Sequence, residues 1–240
     1  MRVGYPGFAS GLPFGYSHSR DTQKDETREF LRGDGELPPN GTIWLISGLV
    51  SYLIGGLPTA YIAARMLKGQ DIRKLGDRNV GAANVYRNIG PTAGLAVGAV
   101  DIAKGAVVVL LARVLVDSTV AEMICGVAVI AGHSWPVHFR MKGGRGAATA
   151  VGVLIAMMPA LAIPLSLLAG VVLFSTKSAM KTLSFFLIGV PLLAWWPAHY
   201  SNPVVIFALG IPLMVGFSHF LSVRRRTGPG SVGEPALPRG

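Results

Sequence analysis

Long apolar blocks recur along this chain between residues 43 and 223, and they constrain its fold more strongly than any other feature. A run of about 18 or more apolar residues predicts a helix that crosses a membrane. Several such runs exceed what the core of a soluble chain of 240 residues can bury. We therefore predict an all-α, polytopic membrane protein whose apolar blocks are 43–66, 93–116, 120–137, 147–175, 183–196 and 203–223.

The segments outside these blocks are polar. Residues 1–41 are rich in glycine, proline, serine and charged side chains, and they lack the basic start and long apolar run of a cleavable signal peptide. We expect a disordered extension over residues 1–41, a transmembrane domain over 42–226 and a flexible tail over 227–240.

Charge placement indicates seven helices rather than six. Loops 65–91 and 138–146 are basic, whereas the connection between them carries only the acids Asp117 and Glu122. If block 147–175 crossed once, Lys177 and Lys181 would lie outside, against the bias that keeps basic loops in the cytoplasm. A break near Pro159 into two short helices removes the conflict. We predict about seven membrane helices, some short or broken, with the N-terminus outside and the C-terminus cytoplasmic.

Asp101 and Lys104 lie inside an apolar run, and their spacing of three places both side chains on one helix face. Ionisable groups at bilayer depth are costly, so such a pair favours a functional site. A structural salt bridge is the alternative.

Two loops have the composition of phosphate cradles. The first contains Gly76, Asn79, Gly81, Asn84 and Arg87, which offer close backbone approach, amide donors and a guanidinium. It is not a P-loop, because two alanines follow Gly81 where lysine and serine or threonine are required. A glycine-rich turn whose basic residues set the membrane orientation is the alternative.

The second loop contains Lys142, Gly143, Gly144, Arg145 and Gly146. A helix that begins after Gly146 would direct its N-terminal amides toward the same anion. His133, just before this loop, could donate a hydrogen bond or act as an acid or base. A third cluster contains His219, Ser222 and Arg225, and by charge alone it is an ordinary anchor at the end of a span.

Other classes of function are disfavoured. The net charge of +10 comes from short connections between apolar runs, so we expect no nucleic-acid partner. Cys125 lies in an apolar run away from the charged loops, so covalent catalysis by a cysteine nucleophile is not indicated. Five scattered histidines and few carboxylates predict neither a metal site nor a cofactor.

The motifs, in order, read G-x-x-P-T-A-Y, K-G-x-D-I-R-K-x-G-x-x-N-x-G-A-x-N-V-x-R-x-x-G, D-x-x-K-G, G-H-x-x-P-V and K-G-G-R-G-x-A-T. This order resembles the acyl-phosphate-dependent glycerol-3-phosphate acyltransferase family over about residues 43–226. The resemblance implies a bacterial inner-membrane enzyme with seven spans and cytoplasmic active loops. It also implies that a fatty acyl group moves from acyl phosphate to the 1-hydroxyl of glycerol 3-phosphate, giving lysophosphatidate and phosphate. We expect these two substrates, membrane lipid as the surroundings, and a monomer.

The resemblance, carried over position by position, implies two sets of site residues. Those expected to act in catalysis are Arg87, Lys104, His133, Arg145 and His219. Those expected to bind substrate phosphate are Gly76, Asn79, Gly81, Asn84, Asp101, Lys142, Gly143, Gly144, Gly146, Ser222 and Arg225.

The chain departs from the family pattern at several positions. Asp77 and Arg78 replace a serine and a glycine, Ala83 replaces a threonine, Arg145 replaces a lysine and Ser222 replaces an asparagine. A carboxylate beside a phosphate is unfavourable unless it turns onto a cation, for which we expect Arg78 or Arg73. An altered-substrate or binding-only relative and a small-anion transporter therefore remain as alternatives.

Overall fold

The computed structural model describes residues 40–195 and 200–227, with side chains up to Arg224 in the last helix. Within these residues it is all helical. The predicted N-terminal extension, apart from its last two residues, and the tail beyond Thr227 lie outside the described residues. The α-helices are α1 (Gly41–Gly55), α2 (Thr59–Lys68), α3 (Ala82–Asn88), α4 (Pro91–Leu115), α5 (Thr119–Ser134), α6 (Ala147–Met157), α7 (Pro159–Thr176), α8 (Ala179–Trp195) and α9 (Asn202–Thr227).

Seven apolar segments among these helices confirm the predicted class of polytopic helical membrane protein. Five are long and apolar enough to cross a membrane: Gly41–Lys68, Pro91–Leu115, Thr119–Phe139, Pro159–Thr176 and Asn202–Arg224. The other two, α6 and α8, are apolar but shorter.

The block 147–175 is broken at the predicted place. α6 ends at Met157 and α7 begins at Pro159. Proline suits the first turn of a helix because the N–H that it lacks would have no helical partner there. α6 has 11 residues and spans only about 16 Å, roughly half of the hydrocarbon thickness. It packs against α4 so tightly that a Cβ added at Gly152 would collide with the Ile102 carbonyl.

Two features of the fold differ from the sequence-based expectation. The first span is two helices, because α1 stops at Gly55 and α2 begins only after Pro58. The loop that follows it contains the short helix α3 and shares a small apolar core with α2 and α4. That core includes Ile72 of the loop, Ala60 of α2 and Val97 of α4. This loop is therefore a folded unit rather than a simple glycine-rich turn.

Candidate active site

A buried group of polar side chains joins α2, α4 and α5. Lys104 Nζ lies 2.9 Å from Asp101 Oδ1, and the Thr59 hydroxyl donates a 2.7 Å hydrogen bond to the same oxygen. His133 Nδ1 is 3.6 Å from that oxygen. Asp101, Lys104 and His133 are all nearly inaccessible to solvent. The structure thus places His133 beside the Asp101–Lys104 pair, from which the sequence analysis treats it separately.

Lys104 also binds the backbone where the first span breaks between α1 and α2. Its ammonium donates to the Gly55 carbonyl at 3.0 Å and to the Leu57 carbonyl at 3.5 Å. Carbonyls at a helix C-terminus lack helical donors and carry partial negative charge, so a cation stabilises them. With Asp101 as its third acceptor, Lys104 has a structural role as well as a position beside His133.

Asn84 organises the first loop from within. Its side-chain amide donates to the carbonyls of Ile72, Leu75 and Asn79 at 3.2, 3.1 and 2.9 Å, and its Oδ1 accepts from Asn88 at 2.7 Å. Asn84 is fully buried. Its predicted contribution to phosphate binding is therefore indirect in this structure, through the shape of the loop.

Gly76 and Gly81 serve the same loop. Gly76 has a φ of 51°, in the left-handed region, and a Cβ there would collide with the side chains of Asn84 and Asn88. Gly81 is the residue immediately before α3 and packs against the Asn79 side chain. Both glycines allow the turn to close on Asn84.

Asp71 and Arg73 form a two-bond ion pair at the cytoplasmic side predicted for this loop. Arg73 Nε donates to Asp71 Oδ1 at 2.9 Å and Nη2 donates to Oδ2 at 2.7 Å. The hydrogen bond from Arg73 lowers the pKa of Asp71 to about 2. The same bond raises the pKa of Arg73. Arg73 is therefore not the partner of Asp77.

Asp77 links the first and second loops, the two loops that the sequence predicts to bind phosphate. Its Oδ2 accepts from Arg87 Nη2 at 3.1 Å and from Arg145 Nη2 at 3.0 Å. These two partners differ from Arg78 and Arg73, which were the partners predicted for Asp77. The fold places Arg145, 68 positions away in the chain, beside the first loop.

The second loop lies directly on the end of α5. The N–H of Gly143 donates to the Ser134 carbonyl at 3.1 Å, and the N–H of Gly144 donates to the His133 carbonyl at 3.0 Å. A Cβ on Gly144 would collide with His133 Nε2. These glycines therefore hold the loop against His133. Gly146, with a φ of 78°, precedes α6, which begins at Ala147 as predicted.

A cavity of about 510 Å³ opens between the two loops and α9. Arg73, Arg78, Arg140 and Lys142 line it, and no carboxylate does. Within the described part of the chain, Arg78, Arg140 and Lys142 form no ion pair. Unpaired cations around one cavity favour an anionic ligand.

Two residues that line this cavity, Asn79 and Ser134, also carry a buried polar atom without a partner. Among the described residues, Asn79 Oδ1 and Ser134 Oγ have no hydrogen bond and almost no solvent-accessible surface. Buried polar atoms without partners are rare in folded proteins, and a bound ligand or water is a common reason for them.

A small cleft of about 10 Å³ lies next to the large cavity, since both share Phe139, Gly143 and Gly144. Thr59 and His133 line the small cleft. His133 therefore lies near the cationic cavity without lining it. Asp101 Oδ1, 3.6 Å from His133 Nδ1, is placed to orient the imidazole ring.

The third predicted cluster reaches the site only in part. Ser222 lines the large cavity, and the neighbouring Ser218 hydroxyl lies 3.4 Å from the Gly144 carbonyl. His219 is half-buried and is not among the residues that line either cavity. The Arg225 side chain lies outside the described residues.

Sequence reasoning did not single out Thr59, Arg140 or Ser134 as site residues. Thr59 directly follows Pro58 at the break in the first span, and this proline is the sequence feature that could have pointed to it. Arg140 had been used only as an indicator of membrane orientation. Ser134 carries no motif of its own, and only the position of the second loop reveals it.

The fold and the site together define a helical membrane protein whose loops form a cationic cavity suited to an anionic substrate. A family model described as "Glycerol-3-phosphate acyltransferase" matches residues 45–227. This chain belongs to that family, and the predicted enzyme class is confirmed.

Similar proteins extend over most of the chain. Glycerol-3-phosphate acyltransferase 4 of Dehalococcoides mccartyi (strain ATCC BAA-2266 / KCTC 15142 / 195) is 38% identical over 75% of this chain and 97% of its own. Glycerol-3-phosphate acyltransferase of Thermoanaerobacter sp. (strain X514) is 34% identical over 75% of this chain and 90% of its own.

Solved structures give the same result. The crystal structure of PlsY (YgiH), an integral membrane glycerol 3-phosphate acyltransferase, in its glycerol 3-phosphate form has a TM-score of 0.68 and 30% identity, covering 81% of this chain and 96% of that one. Its lysophosphatidic acid form has a TM-score of 0.64 and 29% identity, covering 76% and 91%.

Proposed function

We propose that this enzyme transfers a fatty acyl group from acyl phosphate to the 1-hydroxyl of glycerol 3-phosphate. The products are lysophosphatidate and inorganic phosphate. The observation that carries the proposal is the cavity of about 510 Å³ with three cations that have no acidic partner in the described residues. Two phosphorylated substrates bring several negative charges into one place, and such a cavity suits them.

The cavity also has an apolar side that suits a fatty acyl chain. Trp135, Phe139 and Leu221 line it, and Trp135 packs edge-on against Phe217 with ring centroids 6.2 Å apart. Phe217 is 55% exposed on α9 and would face lipid in a membrane. An acyl chain could therefore extend from the phosphate end of the cavity toward the bilayer.

The reaction does not require covalent catalysis by the protein. The acceptor oxygen attacks the acyl carbonyl carbon, the bond from that carbon to the phosphate oxygen breaks, and phosphate leaves with its bonding electrons. The protein has to orient the substrates and stabilise negative charge, a task for which Lys142 and Arg140 are placed. His133, oriented by Asp101, is our candidate to accept the hydroxyl proton, and a phosphate oxygen of the substrate is the alternative.

The predicted transporter alternative receives no support from the fold. The Asp101–Lys104 pair lies near the middle of α4, and the Arg113–Glu122 pair, with a contact of 2.7 Å, lies near its C-terminal end. Between them, Val108, Val109 and Ile130 belong to the buried apolar core. An ion would meet this core before it could cross.

The remaining parts of the proposal concern setting. We propose that the enzyme lies in the bacterial inner membrane with both loops facing the cytoplasm, where glycerol 3-phosphate is dissolved. Positive charge in these loops supports that orientation. We also propose a monomer as the working unit.

Phosphate release by the purified protein tests the function. We expect palmitoyl phosphate to release phosphate only when glycerol 3-phosphate is present, and Lys142→Ala to lower kcat/KM by about tenfold or more because it removes a charge-assisted contact. Lys74→Ala is the matched control, since Lys74 is exposed and does not line the cavity. Folded protein that releases no phosphate would contradict acyl transfer and favour a binding-only or altered-substrate relative.

A further inference from the structure

Asp77 supplies an internal anion to the two arginines that the sequence assigns to phosphate. One carboxylate oxygen accepts from Arg87 and Arg145 at 3.1 and 3.0 Å, and the other accepts the backbone N–H of Asn79 at 3.3 Å. Two guanidinium groups and a backbone N–H are the kind of donors that hold a phosphate oxygen. In this chain a carboxylate already occupies those donors.

The next residue, Arg78, uses its charge in the opposite way. It lines the cationic cavity and has no ion-pair partner in the described part of the chain. Its φ of 56° lies in the left-handed region, which side chains other than glycine adopt at a cost. A glycine would fit this turn better, so the arginine is retained against the local backbone preference.

The neighbouring residues show where Arg78 would act. Asn79, with its unpartnered Oδ1, and Lys142 line the same cavity, whereas Asp77, Arg87 and Arg145 do not. The loop therefore separates its charges into an ion-paired cluster outside the cavity lining and a set, without ion pairs among the described residues, that lines the cavity.

We propose that Arg78 is a specificity-determining ligand for the phosphate monoester of the acceptor, and that Asp77 withdraws Arg87 and Arg145 from this task. The inference rests on the proposed function only for the identity of the ligand. The two residues have compensating effects on charge. Asp77 neutralises Arg87 and Arg145, which do not line the cavity, whereas Arg78 adds one positive charge to the cavity lining. Arg87 and Arg145 then act as positioning residues that join the two loops.

The substitution Arg78→Gly separates binding from folding. Glycine relieves the left-handed backbone, so a loss of binding in this variant does not come from strain. Lys177→Gly is the matched control: Lys177 is also cationic, has a φ of 49°, and is exposed at the end of α7 away from the cavity.

Calorimetric titration of the full chain in detergent with glycerol 3-phosphate provides the readout. We expect Arg78→Gly to raise Kd by about tenfold or more, the scale of a lost charge-assisted hydrogen bond. Lys177→Gly should leave Kd unchanged. Asp77→Ser should free Arg87 and Arg145 for the ligand, so adding Arg78→Gly to Asp77→Ser should change Kd by less than about threefold.

The outcomes separate this inference from the proposed function. An unchanged Kd in Arg78→Gly, or an equal loss with and without Asp77→Ser, would overturn the inference even if the enzyme turns over. The expected pattern of Kd in a protein that transfers no acyl group would support the inference and reject the function. If the unmodified protein fails to bind glycerol 3-phosphate, the inference is also rejected.

Discussion

At the scale of single residues, the buried Asp101–Lys104 pair is the most costly feature of the site. Both charged groups are buried, and each is stabilised by the other. The Thr59 hydroxyl also donates to Asp101, and two backbone carbonyls accept from Lys104. Removal of one partner leaves a buried charge without compensation, whereas removal of both leaves none. The pair is thus expected to behave as one unit in mutagenesis.

We predict that Lys104→Met lowers the free energy of unfolding by about 3–5 kcal/mol, because Asp101 keeps an uncompensated charge. The double variant Asp101→Asn/Lys104→Met should regain much of that loss. Thermal unfolding in detergent measures both, with the exposed Lys74→Met as a control for loss of positive charge. Equal stability of Lys104→Met and the unmodified protein would show that the pair is not coupled.

At the scale of elements, the short helix α6 decides where the second loop lies. Because α6 spans only about half of the hydrocarbon thickness, the loop before it can pack on the end of α5, where Gly144 contacts His133. The far end of α6 is held by Arg113, whose Nη2 donates to the Ala156 carbonyl at 2.8 Å and to Glu122 at 2.7 Å. The depth of the site therefore follows from the packing of α6 on α4.

Substitution of Gly152 tests this packing. We predict that Gly152→Ala lowers stability by about 1–3 kcal/mol, because the new methyl group collides with the Ile102 carbonyl and forces α6 from α4. Gly170→Ala in α7 is the control, since no atom lies within 4 Å of its added Cβ and alanine favours a helix. Thermal unfolding compares the two, and equal midpoints would show that the close contact is not needed.

At the scale of the whole molecule, the seven apolar segments imply a definite arrangement in the membrane. If all seven cross the membrane, the ends of the described chain are predicted to lie on opposite sides. In that arrangement α6 and α7, which are separated at Pro159, cross and return, and Lys177 is predicted on the side of the basic loops.

Single cysteines, introduced in a Cys125→Ala background, report this arrangement. We predict that Gln70→Cys and Lys177→Cys react with a membrane-impermeant maleimide only from the cytoplasmic side, and Asp117→Cys only from the outside. All three positions are exposed. Reaction of Lys177→Cys from the same side as Asp117→Cys would reject the crossing of α6 and α7 and return the count to six.

The sequence alone was sufficient for the spans, the break at Pro159, the start of α6 after Gly146 and the proximity of Asp101 to Lys104. Each of these follows from local physics, namely the length of an apolar run, the missing N–H of proline, or residues three apart on one helix face. The same locality explains why the family motifs could be recognised without the fold.

Only the tertiary structure decided which groups the loop side chains meet. The amide of Asn84 turns to three carbonyls of its own loop, and Asp77 turns to Arg87 and to Arg145 across 68 residues. A residue type states what bonds a side chain can form, but the packing of distant segments selects among the available partners. For this reason candidate site residues could be proposed from the chain, whereas their division between the loop framework and the cavity could not.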